Sequence, residues 1–382
     1  MARLHSSSRL LAGAFAVLTS VAVSAQAPAP TPALPAEASG AEVYKAACQT
    51  CHAADGRGTP QPLLGFALPL PDGHDLPDFT DCPTNTAESS QDWEIVASGG
   101  GRVRGLDRHM PSFGEALSPR QLTAVVAHLK SFCRDAAWPD GTLNPPRAFF
   151  TEKAFPENEF VWAGNLNTGR GRALGHDLVY EHRLGRRAQY EVRVPVAFQP
   201  DVNGSRARGL GDIELALRRV VYAGSRTGSI VAAGGALTLP TGSRSNGLGN
   251  GFAIVEPFAM WDQLIGASGF LQMHGGIEIP TDSVKGDREA FLRTAVGFTL
   301  AGDRGRGRSW SPMVEVLAAR PWRSETEWDI VPQMQVSLSR LQHVRASVGL
   351  RVPLNERTDR HPQVLTYVLW DWFDGGFFKF WH

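Results

Sequence analysis

The chain has 382 residues, with 38 basic and 38 acidic side chains, so its formal net charge at pH 7 is zero. This balance excludes nucleic-acid binding driven by overall positive charge. The length suits two domains of roughly 150 residues each. The mean hydropathy of −0.18 fits a soluble protein, and it also fits an outer-membrane barrel, whose strands alternate polar and apolar side chains.

The first 25 residues have the features of a secretory signal peptide. Arg3 and Arg9 give a basic start, an apolar run covers residues 10–23, and Val23-Ser24-Ala25 resembles a cleavage site. An uncleaved inner-membrane anchor is the alternative, but the apolar run is short for a span of about 20 residues. Residues 26–40 then form an extended linker rich in proline and alanine. The sequence therefore predicts export.

Residues 47–58, ACQTCHAADGRG, place Cys48, Cys51 and His52 in the spacing C-x-x-C-H. This spacing is typical of covalent c-type haem attachment. Two thiols on one helical turn can add to the two vinyl groups of haem, and the next residue then places an imidazole under the iron. The alanine-rich residues before the motif predict the helix that carries it.

A second axial ligand is expected from a later loop, because an electron-transfer haem commonly adds a methionine to the histidine. Met110 precedes Pro111 in such a loop. His74, His109 and His128 are rival ligands. Packing in a hydrophobic core is the ordinary alternative role for a single methionine.

An amphipathic helix is predicted directly after this loop. Ser118 suits the N-cap and Pro119 suits the first helical position. Apolar residues then recur at helical spacing, at Leu122, Val125, Val126, Leu129 and Phe132. We expect this helix to pack on the N-terminal helix and to cover the haem.

Residues 41–135 resemble a class I c-type cytochrome. The resemblance rests on C-x-x-C-H near the start, the DGRG after it, the late Met-Pro pair and the final amphipathic helix. It implies one covalent haem c, with His52 and Met110 as the iron ligands and Cys48 and Cys51 as the attachment residues. We assign residues 41–150 to an all-α cytochrome c domain.

Two further cysteines, Cys82 and Cys133, remain after haem attachment. A leftover even pair in an oxidising compartment suggests a disulfide, and two buried free thiols are the alternative. Residues 99–105, GGGRVRG, are rich in glycine, but they follow no predicted strand and lack the lysine of a phosphate-binding loop. We therefore expect no nucleotide site there.

The pattern changes after residue 155, where helical periodicity gives way to alternation of apolar with polar or small residues. Residues 190–198, YEVRVPVAF, alternate most clearly. Turn-rich stretches separate twelve predicted strands, near residues 160–167, 175–185, 187–199, 209–223, 228–240, 251–265, 268–280, 288–301, 310–322, 327–339, 343–354 and 362–373. We expect residues 155–382 to form an all-β antiparallel transmembrane barrel of about twelve strands, which makes the chain a multidomain protein.

Aromatic side chains near the strand ends favour a membrane barrel over a soluble sandwich or a lipocalin-like module. They are Trp261, Phe270, Trp310, Trp322, Trp328, Trp370 and Trp372. The C-terminal YVLWDWFDGGFFKFWH resembles the end of outer-membrane proteins, although it closes on His382 rather than Phe. Residues 209–222 and 235–251 resemble segments of small MetA-like, phenol-degradation-associated outer-membrane barrels, which implies the same fold and location.

Charged residues recur in the middle of the predicted strands. In a barrel they must face the lumen, because arginine on the lipid face at the bilayer midplane costs about 2–4 kcal/mol. The arginines are Arg193, Arg218, Arg219, Arg293, Arg320 and Arg351. We expect them to pair inside the barrel with Glu191, Glu214, Glu256, Glu278 and Glu315.

The cytochrome domain is too large for the lumen of such a barrel. Twelve strands about 4.8 Å apart, tilted by about 40°, leave a lumen on the order of 14 Å across once side chains are counted. A globule of about 100 residues has a radius of gyration of about 13 Å. The domain is therefore expected to dock at one mouth, and export favours the periplasmic one.

The overall plan resembles porin–cytochrome fusions, which move electrons between the periplasm and an external donor or acceptor. We therefore expect an outer-membrane electron-transfer protein that contacts lipid, exchanges electrons with a redox partner protein or an external donor or acceptor, and is neither an enzyme nor a nucleic-acid binder. The alternative is a solute porin with the cytochrome as a redox-active plug. A third hypothesis makes the barrel only an anchor for a periplasmic electron carrier.

Overall fold

The computed structural model describes residues 34–60, 64, 76–169, 173–200, 206–301, 307–356 and 360–372. The predicted signal peptide, linker residues 26–33, His74 and the aromatic residues 373–382 lie outside these ranges. Within them, no helix is both long and apolar enough to cross a bilayer.

The N-terminal part of the described chain is helical, as predicted for a cytochrome domain. The described α-helices are α1 (Gly40–Ala47), α2 (Gln49–His52), α3 (Cys82–Ala87), α4 (Ser90–Gly99) and α5 (Pro119–Lys130). Short 3-10 turns cover Gly101–Arg104 and Gly141–Leu143.

The predicted cap of α5 is present. Ser118 and Gln121 form a capping box, with Pro119 at the first helical position. The buried face of α5 packs on α1, where Gly40 permits close approach because a Cβ there would lie 2.0 Å from the carbonyl oxygen of Ala124. The crossing of these two helices holds the N-terminal domain together.

A disulfide joins Cys82, at the start of α3, to Cys133, just after α5. This is the pairing that the sequence suggests. Between the two elements the buried Asn85 donates to the carbonyl oxygens of Phe79 and Leu129, at 2.7 and 3.0 Å. Covalent and hydrogen bonds therefore fix α3 against the end of α5.

The C-terminal part is a closed antiparallel barrel of twelve long strands, which confirms the predicted fold class. Closure follows from the pairing of β1 with both β2 and β14 and of β9 with both β8 and β11. The short β4 and β10 pair with β3 and β11, respectively. The strands are β1 (Glu159–Asn167), β2 (Leu174–Leu184), β3 (Ala188–Pro200), β4 (Arg206–Leu210), β5 (Ile213–Gly224), β6 (Ser229–Leu239), β7 (Ile254–Ile265), β8 (Gly269–Pro280), β9 (Glu289–Phe298), β10 (Leu300–Ala301), β11 (Ser309–Pro321), β12 (Glu327–Ser337), β13 (Val344–Pro353) and β14 (Gln363–Asp371).

The helical domain contacts one end of the barrel, which we call the near end. Its turns include residues 185–187, 225–228 and 266–268, which are short. Arg186 pairs with Asp135 at 2.8 Å, and Arg187 donates to the carbonyl oxygen of Ala137 at 2.9 Å. The domain thus docks at a mouth of the barrel, as its size requires.

Side chains alternate between the two faces of the barrel wall. On β11, Glu315 and Leu317 are buried, whereas their neighbours Val314 and Val316 are exposed. Other large apolar residues exposed on the outer face are Trp162, Leu178, Leu215, Leu217, Leu292, Val296, Val348 and Leu350. Buried polar residues of the inner face include Glu181, Gln189, Arg218, Asp262, Gln272, Gln333 and Gln335.

The prediction that all six mid-strand arginines face the lumen is wrong for two of them. Arg219 follows the inward Arg218 directly, and strand alternation therefore turns it outward, where it is exposed. Arg320 is exposed on the outer face of β11 for the same reason. The other four of the six, Arg193, Arg218, Arg293 and Arg351, face the lumen.

The residues just before β1 fill the near half of the lumen. We call residues 144–157 the lumen segment. Its three prolines, at positions 145, 146 and 156, cannot donate backbone hydrogen bonds and disfavour both helix and strand. Its remaining N–H groups therefore need acceptors on the barrel wall.

The carboxylate of Glu315 supplies the largest share of these acceptors. It accepts from the backbone N–H groups of Phe149, Phe150 and Thr151 at 2.9, 3.0 and 2.7 Å. Further along, Ala154 N donates to Asp262 at 2.7 Å and Glu157 N to Gln189 at 2.6 Å. The segment is thereby bonded to strands on different sides of the barrel.

Charged side chains of the lumen segment pair with the inner wall. Arg147 bridges Glu159, at 2.8 Å, and Glu181. Glu152 pairs with Arg193 at 2.8 Å. Arg147, Phe149 and Phe150, which lie within the predicted cytochrome domain of residues 41–150, therefore bond to the barrel wall.

Removal of the disulfide is expected to destabilise the helical domain. Cys82 and Cys133 close a loop with a sequence separation of 51, which corresponds to about 4 kcal/mol in the chain-entropy model. A Cys82→Ser/Cys133→Ser variant should lose this stability in denaturant unfolding followed by near-ultraviolet circular dichroism. Dithiothreitol should lower the midpoint of the parent protein and leave the variant unchanged; an equal response of both would contradict the prediction.

Candidate haem-attachment site

The junction of α1 and α2 places Cys48, Cys51 and His52 on one turn. The backbone N–H groups of Cys51 and His52 both donate to the carbonyl oxygen of Cys48, at 3.2 and 3.0 Å. The hydroxyl of Tyr44 donates to the carbonyl oxygens of His52, at 3.1 Å, and of Ala53, at 2.6 Å. The turn is therefore held from both sides before any cofactor binds.

The imidazole of His52 is buried and neutral. It is 8% exposed, and its ring centroid lies 4.8 Å from that of Phe79. Burial lowers the pKa of His52 to about 4. Its Nδ1 is buried and has no hydrogen-bond partner among the described residues. A neutral imidazole with an unpartnered ring nitrogen is suited to bind a metal ion. Together with the two thiols, it matches the residues that a haem c site requires.

Cys48 and Cys51 are free thiols, because the other two cysteines bond to each other. Burial raises the pKa of Cys48 to about 11 and also raises the pKa of Cys51. Both groups are therefore protonated at neutral pH, and both remain available for thioether formation.

Met110 lies on a loop fixed to the end of α4. Its carbonyl oxygen accepts from Gly101 N at 3.1 Å, and its N–H donates to the Asp107 carbonyl oxygen at 3.3 Å. A Cβ at Gly101 would lie 2.1 Å from that Asp107 oxygen, so only glycine fits there. The loop is positioned tightly, and the role of Met110 as the second ligand stays a prediction.

Two of the rival histidines are already engaged by protein groups. The Nδ1 atom of His109 lies 2.6 Å from a carboxylate oxygen of Asp107. The ring of His128 packs against Tyr44 and Phe132, with centroid distances of 5.2 and 5.1 Å. These contacts fix the two histidine rings, and the identity of the second ligand stays a prediction.

Sequence reasoning missed an aromatic row behind the histidine. Phe79, which packs on His52, lies 5.3 Å from Trp93 on α4. The ammonium of Lys130 lies 4.8 Å from the centre of the Trp93 ring and donates to the carbonyl oxygen of Asn85 at 2.7 Å. The spacing of these residues gives no local signal, because they come from three separate elements.

Arg104, in the stretch GGGRVRG, was also missed. It is 4% exposed, and its Nη2 donates to Asp92 at 2.8 Å, while its Nη1 is buried without a partner among the described residues. An unpartnered buried donor costs about 1–3 kcal/mol. The two arginines of the stretch, Arg102 and Arg104, were the signal in the sequence that could have identified it.

Residues 37–132 match the family model described as Cytochrome c. Those residues contain the C-x-x-C-H turn, the Met110 loop and α5. No curated protein matches the chain.

The barrel is similar to solved structures of outer-membrane channels. Among them are the NanC porin (7% identity, TM-score 0.41) and the KdgM porin (10%, 0.39), each covering 56% of this chain and 99% of its own. The COG4313 outer membrane channel from Pseudomonas putida F1 (12%, 0.42) covers 59% of this chain and 99% of its own. The chain thus consists of a cytochrome c domain, with the haem attachment and electron transfer that this family implies, followed by a closed twelve-strand barrel.

Proposed function

We propose that the protein carries single electrons on one covalently attached haem c and acts as a redox carrier, not as an enzyme. The proposal rests on the turn that contains Cys48, Cys51 and the buried, neutral His52. Bound haem c supplies one-electron chemistry at its iron. His52 and Met110 would hold that iron, and Cys48 and Cys51 would hold the porphyrin through thioether bonds.

The barrel is proposed to lie in an outer membrane, with lipid as its partner. Its outer face carries exposed leucine, valine and tryptophan side chains, and its inner face carries buried charges. This is the pattern of a lipid-facing strand, in which apolar residues point out and polar residues point in. In water the same exterior would form an apolar patch far larger than monomeric proteins expose.

The near end of the barrel, and with it the cytochrome domain, is proposed to face the periplasm. Several near-end turns have three or four residues, such as 185–187 and 225–228. Short turns are periplasmic in bacterial outer-membrane barrels, and longer loops are extracellular. The longer connection 240–253 lies at the opposite end.

The barrel is proposed to be an anchor and not an open porin. The lumen segment fills its near half through Arg147, Glu152 and the bonds to Glu315. In the porin hypothesis the cytochrome domain plugs the barrel. In the structure the lumen segment, and not the cytochrome domain, occupies the lumen. Because one haem at a mouth does not bridge a hydrocarbon band of about 25 Å, electrons are exchanged with a redox partner at the periplasmic face.

Location and cofactor are tested together by fractionation of expressing cells. The outer-membrane fraction is expected to contain a band with haem-dependent peroxidase activity, and that band should shift in mobility when the sample is boiled. A Cys48→Ala/Cys51→Ala variant should keep the heat shift and lose the stain. Recovery of the stained parent protein in the soluble periplasm would contradict the membrane anchor.

Substitution of Met110 tests the second ligand. Met110→Ala should abolish the long-wavelength sulfur–iron absorption band of the oxidised protein and lower its midpoint potential, because a thioether ligand favours the reduced iron. His109→Ala is the matched control on the same loop and should keep the band. Absence of the band from the parent protein, or its retention in Met110→Ala, would contradict Met110 as the ligand.

Planar-bilayer conductance tests whether the barrel is sealed. The parent protein should give little or no conductance, and Glu315→Ala should give channel openings and a lower temperature for the heat-induced mobility shift, because three buried N–H groups lose their acceptor. Glu325→Ala, in an exposed turn, is the control. Steady large conductance by the parent protein would contradict the anchor and support the porin.

A further inference from the structure

A cleft of about 450 Å³ lies between the cytochrome domain and the near end of the barrel. One wall is the basic loop, residues 102–109, which leads directly to Met110. The other wall contributes Arg340, from the turn between β12 and β13. We call it the arginine cleft, after Arg102, Arg108 and Arg340 in its lining.

The positive charge of the cleft is not balanced by the residues that line it. Its one lining carboxylate, Asp107, accepts from the backbone N–H of His109 at 2.8 Å and lies 2.6 Å from the ring of that residue. Within the described part of the chain, Arg102, Arg108 and Arg340 make no ion pair. By contrast, the nearby Arg104 is paired with Asp92.

We propose that the arginine cleft is a binding site for an oxyanion, either a carboxylate or a phosphate group. A guanidinium presents parallel N–H donors that match the two oxygens of such a group. The volume lies within the range of roughly 300–1,000 Å³ that is usual for small-ligand sites. The site depends on the packing of the two domains and not on electron transfer, so it goes beyond the proposed function.

An anion held in this cleft joins the two domains. Arg102 and Arg108 belong to the cytochrome domain, and Arg340 belongs to the barrel. Each arginine that contacts the anion adds a charge-assisted hydrogen bond, and removal of such a bond weakens binding about tenfold or more. Substitutions on either wall should therefore weaken binding. If the anion bound to one domain alone, substitutions on the other domain would have no effect.

Isothermal titration of the full chain in detergent tests the proposal, with inorganic pyrophosphate as the free anion and hexaglutamate as the polypeptide-borne carboxylate. Saturable one-to-one binding of at least one probe is expected in 0.15 M chloride. Arg102→Gln and Arg340→Gln should each weaken it at least tenfold. Arg134→Gln and Arg226→Gln, exposed arginines on the same two domains but away from the cleft, should stay within twofold.

The outcomes separate the sources of the anion. Binding of pyrophosphate assigns a free small oxyanion, and binding of hexaglutamate alone assigns carboxylates carried on a polypeptide. Failure of both probes to bind overturns the proposal. Equal weakening by all four substitutions also overturns it, because that result indicates diffuse attraction. If Arg340→Gln leaves the affinity unchanged, the proposal that both domains contribute to the site is overturned. None of these readouts depends on the haem.

Discussion

The buried charge inside the barrel is the constraint on which the rest of the structure depends. A strand that places apolar side chains in lipid must place its polar side chains in the lumen. A buried charge without a partner there lowers the free energy of unfolding. Glu315 and Glu181 are fully buried on the inner wall. The lumen segment supplies their partners through its backbone N–H groups and Arg147. The barrel and this segment therefore stabilise one another, because each supplies hydrogen-bond partners to buried polar groups of the other.

This constraint also fixes the cytochrome domain in place. The lumen segment begins 11 residues after Cys133, the end of the disulfide-bonded unit. Between them, Trp138 stacks under Arg183 at 4.7 Å, and Asp135 pairs with Arg186. At another turn of the near end, between β12 and β13, His343 lies 3.6 Å from Glu88. A short tether and contacts at two turns leave the domain little freedom to swing away from the mouth.

Much of this architecture was predictable because its signals are local. The strand predictions fall within a few residues of the observed bounds, since alternation with a period of two needs no knowledge of distant contacts. The cap at Ser118 and the C-x-x-C-H turn are local in the same sense. The lumen segment was not predictable, because Phe149 meets an acceptor 166 residues away. The error at Arg219 has a different cause: two adjacent residues cannot share a face, and side-chain type alone does not show which one points inward.

The filled lumen bears on the role proposed for the cytochrome domain at the mouth of the barrel. If the barrel were open, solutes could pass and the cytochrome would act as a gate at the exit. With the near half occupied by residues that pair with the wall on several strands, movement of the cytochrome alone does not open a path, since the segment would have to leave as well. Its departure would remove the backbone donors of Glu315 and Asp262 and the Arg147 partner of Glu181. Glu315 would then keep Gln333 of the wall, and Glu181 would keep Arg218. A segment that must break so many hydrogen bonds and ion pairs to leave the lumen is poorly suited to act as a gate, which supports the proposed role of the barrel as an anchor for the cytochrome domain.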